Sequence, residues 1–443
     1  MATTIPNLIY RLPEFWAAPP TQDAVKPMGA WGRDIEKGPH TQVGGDMYWT
    51  SNGDAQVALR TQGSGNVGSD IPSAVTNSKT EGGVRYVPKA SRYWSIYRMH
   101  RDAQRLIQNA PDVSEDRAAK GLMRKLNFTR RNWFRSVSNY WWRDGRGGCA
   151  TITAGAATAT VTLSSPSQCH GFEIGDIVVG YDPAVYDAAQ PGVLAATRVG
   201  SVTITAVNRR TGTLTFSAAY NVGVTAGANG DVIGHSVYRQ PSADPDGFTA
   251  SLYGFGTWCA MRPADTTATA LGVNRATDPY RHGGYFAQLP LGTPTRGAID
   301  EMLRLSFEFG IPIDRIYAPS SAQTDISNDL VNQTRTAYDE KRMRFGAAGA
   351  VAQGLNGEDV VVTTDPYLYD LRSNAKVFVG LVSNMWGYVT DAQGVGWSME
   401  GAPVFEGAPF IRDSAGNLQA DYGGVGNLIC ADPSSVITIF CGA

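Results

Sequence analysis

The sequence predicts an α+β protein in which a small β-barrel is inserted between two mixed regions. Three observations support this. Residues 114–142 have the apolar period of one long helix, residues 149–238 have the pattern of short strands, and residues 293–381 alternate between helical and strand-like patterns. At 443 residues the chain is long enough for two or three compact units, and a hydrophobic content of 42% is typical of a folded protein.

The long helix has a recognisable start and a continuous apolar stripe. Asp112 or Ser114 can accept hydrogen bonds from the free N–H groups of the first turn, and acidic residues follow where the helix dipole favours them. A continuous helix over 114–142 would be about 43 Å long at ~1.5 Å per residue. Apolar side chains recur three or four positions apart, and we expect these to form its buried face: Leu122, Leu126, Trp133, Val137 and Trp141.

The other faces of this helix are basic. Residues 98–146 contain twelve Lys and Arg against five Asp and Glu, a local charge of +7 in a chain of net charge −2. Such a face is either solvated, in contact with another subunit, or turned towards nucleic acid, and basic clustering alone leaves these alternatives open. If it faces DNA, the candidates are the cations opposite the apolar stripe: Lys120, Arg124, Arg131 and Arg135.

Residues 149–238 differ in composition from the regions around them. Only eight of these residues are charged, while Thr, Val, Ala and Gly dominate. Turn pairs such as Gly175-Asp176 and Thr211-Gly212 separate short β-prone runs at 158–163, 177–179, 201–207, 213–216 and 232–237. This pattern predicts a small β-barrel or sandwich.

The amino-terminal 92 residues have little regular pattern. Residues 1–43 combine six prolines with large aromatics, which predicts an extended arm lying on another surface, with a disordered tail as the alternative. Residues 44–92 contain two strand-like runs around a Gly- and Ser-rich stretch, which predicts a long functional loop. Residues 63–68 match G-x-G-x-x-G, but no helix follows, so we do not interpret them as a dinucleotide site.

The carboxy-terminal third has the alternation of an α/β unit. We expect a helix from Thr293-Pro294 to Gly310, with Ile299, Met302, Leu303 and Phe309 pointing inward. A strand at 313–318, a helix at 320–338, strands at 360–363 and 376–381, and further strands up to Phe440 complete the prediction.

The sequence contains no recognisable catalytic or metal-binding motif. The five histidines lack helical zinc spacing, and no nucleophile motif or phosphate-binding loop is present. The five cysteines are scattered, which is typical of buried thiols in a reducing compartment. We therefore expect no enzyme, cofactor, metal or membrane segment, and a protein made in the cytosol.

The order of these elements resembles the major capsid proteins of tailed bacteriophages, whose fold is shared with encapsulin shell proteins. The similarity is strongest in LPLGTPTRGAIDEMLRLSFEFGIPIDRIYAPSS, EDVVVTTDPYLYDLRSNAKVFVGLVSNMWGYV and GGVGNLICADPSSVITIF. The resemblance implies the following layout: an arm at 1–43, an extended loop at 44–92, a peripheral domain with the spine helix at 93–148, the inserted barrel at 149–238, an axial domain at 239–385, and a return to the peripheral sheet with the C-terminal strands at 386–443.

The resemblance also implies a function. The chain would form pentamers and hexamers of an icosahedral virion head around double-stranded DNA, which it would bind without sequence preference. Assembly would take place in the host bacterial cytoplasm with a separate scaffolding protein, a portal and a decoration protein. Some relatives cross-link a loop lysine, for which Lys79 and Lys89 would be the candidates. The alternatives are an encapsulin-type compartment, an enzyme with a barrel domain, and a phage tail or adhesin module.

Overall fold

The computed structural model describes residues 30–31, 57–58, 85–86, 91–99, 115–155, 158–195, 197–220, 230–235, 252–326, 349–353, 359–390, 396–397, 411–412 and 418–442. Most of the predicted arm and extended loop, including Lys79 and Lys89, lies outside these residues. No helix in the described part is long and apolar enough to cross a membrane.

Five helices and twenty-one strands of the described part are numbered here, and residues 30–31 and 323–326 are also helical. The helices are α1 (Glu115–Trp141), α2 (Pro183–Ala188), α3 (Phe255–Trp258), α4 (Pro279–Gly283) and α5 (Thr295–Phe309). The strands are β1 (Val57–Ala58), β2 (Arg85–Tyr86), β3 (Ser91–Met99), β4 (Ala150–Ala154), β5 (Thr160–Leu163), β6 (Ile177–Tyr181), β7 (Thr197–Asn208), β8 (Thr213–Phe216), β9 (Val232–His235), β10 (Thr269–Ala270), β11 (Val273–Asn274), β12 (Tyr285–Leu289), β13 (Arg315–Pro319), β14 (Gly349–Gln353), β15 (Asp359–Asp365), β16 (Lys376–Leu381), β17 (Trp386–Thr390), β18 (Gly396–Trp397), β19 (Ile411–Arg412), β20 (Leu418–Cys430) and β21 (Val436–Cys441).

The spine helix α1 lies against a long antiparallel ladder. Strands β3 and β20 pair over nine residues, while β17, β18 and β19 pair with the other edge of β20. Trp133 of α1 fixes the contact, because its indole Nε1 donates to the carbonyl of Tyr93 at 3.0 Å and its ring meets Tyr422 edge-on at 5.6 Å. The predicted bounds of this helix, 114–142, agree with the observed Glu115–Trp141 to within one residue at each end.

The segment after α1 contains a closed barrel of six strands in the order β4-β5-β8-β7-β6-β9. The chain enters through β4 and leaves through β9, and these strands are neighbours, with Ala150 opposite Ile233. The two ends of the insertion therefore lie side by side, as an inserted unit requires. Strand β4 and helix α2 were not predicted, although Asp182 caps α2 by accepting from the Ala184 N–H at 2.9 Å.

A second sheet of six strands has the order β12-β21-β16-β13-β15-β14. Helix α5 packs on it through Ala298, Met302 and Leu305, and it ends where Gly310 takes a left-handed conformation at φ 66°. The helix begins one residue later than expected, with Pro294 at the N-cap position. Of the helix predicted at 320–338, the described part contains a 3-10 turn at Ser320–Ala322 and helix up to residue 326.

One expected boundary is wrong in part. The segment 386–443 was assigned to the peripheral sheet and C-terminal strands, but β21 lies inside the other sheet, between β12 and β16. Six residues of β21 pair with β16 and five pair with β12, so the last strand is an interior strand of the six-stranded sheet, whose region (239–385 in the predicted layout) we call the axial region as a label only. The chain thus passes between the two sheets three times, first through the barrel from β3 to β12, then from β16 to β17 and from β20 to β21, which ties them together.

One buried cluster connects α1, the barrel and one face of the six-stranded sheet, while a second cluster lies between that sheet and α5. Trp31 packs on Trp142 with ring centroids 4.2 Å apart, and Phe255 stacks on Trp386 at 5.4 Å. The same cluster continues into the barrel through Cys149 and Phe172. The barrel core is therefore continuous with the core around α1.

Candidate functional site

The apolar stripe of α1 is buried as predicted. Leu126, Trp133, Val137 and Trp141 are all buried, while the side chain of Leu122 lies outside the described residues. From residue 133 onwards every helical position is buried, because the sheet, the barrel and the axial region all contact this end. Among the helical side chains that the structure describes, the exposed ones therefore lie between residues 125 and 131, and we call this the open face of α1.

Of the four cations predicted to face DNA, one is exposed, two lie outside the described side chains and one is buried. Arg131 is the exposed one, and Lys125, which was not among the four, is exposed six residues before it. The side chains of Lys120 and Arg124 lie outside the described residues. Between the two exposed cations stands Phe128, which is 54% exposed. The open face therefore combines positive charge with one large aromatic ring.

Arg135 does not belong to this open face, and its assignment to a DNA-facing surface is wrong. It is 7% exposed and forms ion pairs with Glu173 and, at 3.8 Å, with Asp176. Both carboxylates come from the loop that leads into β6 of the barrel. Because the barrel folds back on α1, it covers and neutralises this cation.

Asp176 also contacts a buried histidine of the barrel. His235 Nε2 lies 3.3 Å from Asp176 Oδ2, and His235 Nδ1 lies 3.0 Å from the Tyr140 hydroxyl of α1. Burial opposes charge on this imidazole, but the hydrogen bond with Asp176 outweighs it and raises the pKa of His235 to about 9. Burial likewise opposes ionisation of Asp176, yet His235 and Arg135 hold the pKa of that carboxyl below its usual value. The pair is therefore an imidazolium and a carboxylate at neutral pH.

A second polar cluster lies just after α1, where the chain turns into the barrel. Asp144 accepts from the Tyr186 hydroxyl at 2.9 Å and pairs with Arg146 at 3.3 Å and Arg262 at 3.8 Å. Arg262 also reaches Asp370 at 3.2 Å, and Arg146 reaches Asp265 at 3.5 Å.

This cluster, which we call the junction cluster (Asp144, Arg146, Tyr186, Arg262, Asp265 and Asp370), is held in its charged form. Burial would raise the pKa of Asp144, but Arg146 and Arg262 lower it below its usual value. Burial would lower the pKa of Arg262, but the carboxylates of Asp265, Asp370 and Asp144 raise it. The junction cluster joins the spine helix end, the barrel and the axial region in one network.

Arg143 precedes this cluster in the chain, and among the described residues its guanidinium contacts carbonyl and amide oxygens and a ring, with no carboxylate partner. Its Nη atoms donate to the carbonyls of Tyr367 at 2.7 Å and Tyr369 at 2.9 Å, and its Cζ lies 3.7 Å from the centre of the Tyr369 ring. Three arginines counted in the basic region, Arg135, Arg143 and Arg146, are thus structural. Sequence reasoning missed these roles because most of the partners, such as Glu173, Tyr367 and Asp265, are distant along the chain.

No chemistry beyond packing is assigned to these clusters. Among the described residues no group of three or more His, Cys, Asp or Glu side chains could hold a metal ion. The five cysteines are buried and free, as predicted.

No family model matches the sequence, and no curated protein matches it. Solved structures do match. The capsid of cyanophage A-1(L) matches with a TM-score of 0.43 and 11% identity over 88% of each chain. The capsid of a native GTA particle matches with a TM-score of 0.38 and 9% identity, over 96% of this chain and 92% of that chain.

An encapsulin complex from Synechococcus elongatus matches with a TM-score of 0.23 and 12% identity, over 35% of this chain. The chain spans about half, 52%, of the length of that encapsulin subunit. Two of these structures are named as capsids and one as an encapsulin complex, the two kinds of protein to which the sequence was found similar. Each of these TM-scores lies below 0.5, so the matches assign no role to any residue of this chain.

Proposed function

We propose that this chain is the major capsid protein of a tailed bacteriophage, a structural subunit that assembles into an icosahedral head shell around double-stranded DNA. The observation that supports this is the α1 helix of 27 residues, which lies along the β3–β20 ladder in a chain that also forms a second sheet of six strands. This arrangement is the one that the resemblance implies for a peripheral and an axial domain. Repeated contacts between identical subunits then close the shell.

The open face of α1 is the part proposed to meet packaged DNA. Exposed Arg131 and Lys125 supply phosphate contacts there, and Lys120 and Arg124 remain candidates by their helical spacing. Contacts of this kind hold DNA without reading its sequence and weaken as salt rises. The sequence also left open that these cations contact acidic groups of another subunit. The exposed ring of Phe128 supports this alternative, because an apolar ring gains nothing from contact with a phosphate backbone.

The barrel at 149–238 is proposed to lie at the outside of the shell or at contacts between subunits. Its outer strands carry Thr side chains and few charges, which gives them little attraction for phosphate. A portal, a separate scaffolding protein and a decoration protein remain proposed partners.

The test of the shell proposal is assembly. The chain, expressed in bacteria together with a scaffolding protein, should form large closed particles that are visible by electron microscopy. A chain that sediments as a monomer under all conditions with scaffold present contradicts the proposal. Closed particles that enclose protein and never package DNA in an infected host would instead favour the encapsulin-type compartment.

The test of the DNA-facing surface uses Arg131→Gln together with Lys125→Gln. Empty shells should form normally, while full shells should lose DNA at lower salt or temperature because phosphate contacts are gone. The matched control is Arg304→Gln, an exposed helical cation of the axial region. If empty shells of the Arg131→Gln, Lys125→Gln chain fail to assemble, these cations are intersubunit contacts and the DNA assignment is wrong.

A further inference from the structure

Two of the five cysteines lie side by side in the buried core. Cys259 directly follows α3, and Cys430 is the last residue of β20. Their side chains hydrogen-bond to each other, and both residues are fully buried. The fold therefore brings two thiols, the groups from which a disulfide forms, into contact between distant parts of the chain.

Contacts on either side of the two thiols hold this arrangement in place. Trp258 Nε1 donates to the carbonyl of Leu428 at 2.9 Å, which sets α3 against β20. Phe255, at the other end of α3, stacks on Trp386 with ring centroids 5.4 Å apart. Trp386 is the ladder partner of Cys430, so the aromatic contact and the thiol contact lie across one pair of strands. Two sulfur atoms held in contact in this way need only a small approach to reach the ~2.05 Å of a disulfide bond.

The other three cysteines have different neighbours. The Tyr140 hydroxyl donates to Cys149 Sγ at 3.7 Å, and Cys169 Sγ donates to the carbonyl of Asn208 at 3.9 Å. Cys441 lies in the second buried cluster, between the six-stranded sheet and α5. These three buried thiols are therefore internal controls for a reaction that needs two sulfur atoms in contact.

The surroundings of the pair make its oxidation slow. Burial raises the pKa of the Cys430 thiol well above its ordinary value, and the adjacent Cys259 raises it further. At neutral pH this sulfur is therefore a thiol, whereas the thiolate is the form that reacts with oxidants. In a reducing compartment the two groups stay as thiols, and only a small oxidant reaches sulfur atoms that are fully buried.

We propose that Cys259 and Cys430 are a redox-responsive pair, which hydrogen peroxide converts into a disulfide that ties α3 to β20. One thiolate attacks a peroxide oxygen, which breaks the O–O bond and gives a sulfenic acid and one water. The second sulfur attacks the sulfenic sulfur and expels its hydroxyl group, which leaves as water with the proton of the second thiol. Two thiols and one hydrogen peroxide thus give one disulfide and two waters.

The disulfide stabilises the folded chain. It joins two residues that are separated by a long stretch of sequence, and cross-links of this kind restrict the unfolded chain more than those that close short loops. A chain made in a reducing compartment gains this bond only after it leaves that compartment. Both thiols belong to one chain, so the reaction does not depend on assembly into shells.

The test exposes the purified, reduced chain to hydrogen peroxide and follows its intact mass. We expect the loss of two hydrogen atoms per chain, and fragment spectra of the unreduced digest should join Cys259 to Cys430. The urea midpoint should rise by about 0.5 M and return to its first value after dithiothreitol. A folded chain that keeps both thiols free, or that links Cys430 to another cysteine, overturns the proposal.

The matched variants are Cys430→Ala and Cys169→Ala, each of which removes one buried thiol. The first should abolish both the loss of two hydrogen atoms and the rise of the urea midpoint, and the second should keep both. Equal behaviour of the two variants would place the oxidised pair elsewhere and overturn the assignment. The mass and digest of the unchanged chain need no substitution, so they decide the question even if Cys430→Ala does not fold.

Discussion

The arginine–carboxylate pairs of the junction cluster and those on α5 have the same chemistry in opposite surroundings. At the junction, Asp144, Arg146 and Asp370 are buried and each ion pair is flanked by further donors. On α5, Arg296–Asp300 and Arg304–Glu301 lie along an exposed helix face, with water free to replace either partner. The two sets differ in what happens when one partner is lost.

At the junction, a lost partner leaves a buried charge without compensation, which is costly, although the intact pair adds little over an apolar contact. On α5, a lost partner is replaced by water at almost no cost. The junction pairs therefore fix how the barrel and the axial region sit on the end of α1, whereas the α5 pairs keep an exposed face charged and locally balanced.

The strongest test of this contrast is Asp144→Asn. The change keeps the shape of the side chain but leaves Arg146 and Arg262 without one of their counter-charges and weakens the Tyr186 hydrogen bond. We expect the unassembled chain to lose on the order of 3–5 kcal/mol of stability, measured as a fall in the urea midpoint. A loss below about 1 kcal/mol would show that Asp265 and Asp370 compensate and that the junction is redundant.

The second test uses pH at the contact between α1 and the barrel. Because the folded pKa of His235, about 9, lies above its ordinary value of 6.5, its contribution is fully present below pH 6.5 and is lost as pH rises through 9. The groups that face it are Asp176, Tyr140, Cys149 and Phe172, and Asp176 stays ionised over this range because its pKa is lowered.

We therefore expect the melting temperature of the chain to fall between pH 6.5 and 9.5, by an amount that corresponds to on the order of 1–3 kcal/mol. The matched control is His235→Gln, which cannot ionise and should flatten this dependence. An equal slope in both proteins would place the titrating group elsewhere. A stability that rises with pH over this range would contradict the ion pair itself.

Local sequence patterns predicted the positions of helices and strands well, but they predicted the partners of the buried charges poorly. Helix α1 and strands β5, β7 and β8 follow from apolar period and β-branched residues, which act within a few positions along the chain. The partners of Arg135 come from a loop of the inserted barrel, and only the tertiary fold brings them to it. Nothing local distinguished Arg135 from exposed Arg131, since both lie opposite the apolar stripe.

The sequence did not show which sheet the last strand joins, because this too depends on contacts between distant parts of the chain. Val436–Cys441 has a clear strand pattern, but whether it joins β20 or β16 depends on where the chain crosses after Pro433. The expectation that Phe309 points inward is wrong: it is 43% exposed, and its ring lies 4.2 Å from that of Tyr285. The helical period alone assigned it to the core, although the predicted stop at Gly310 already placed it at the helix end.

The smallest effect is expected for Asp300→Asn, the same substitution as Asp144→Asn made at a surface pair. Asp300 lies one turn from Arg296 with Oδ2 3.7 Å from its Nε, and both side chains are exposed. Water solvates Arg296 when the carboxylate is removed, so we expect a change within about 0.5 kcal/mol, measured by the same urea midpoint. Salt should erase even that change, since exposed pairs are screened while the buried junction pairs are not. If Asp300→Asn instead costs as much as Asp144→Asn, α5 is held by its ion pairs and burial is not what separates the two regions.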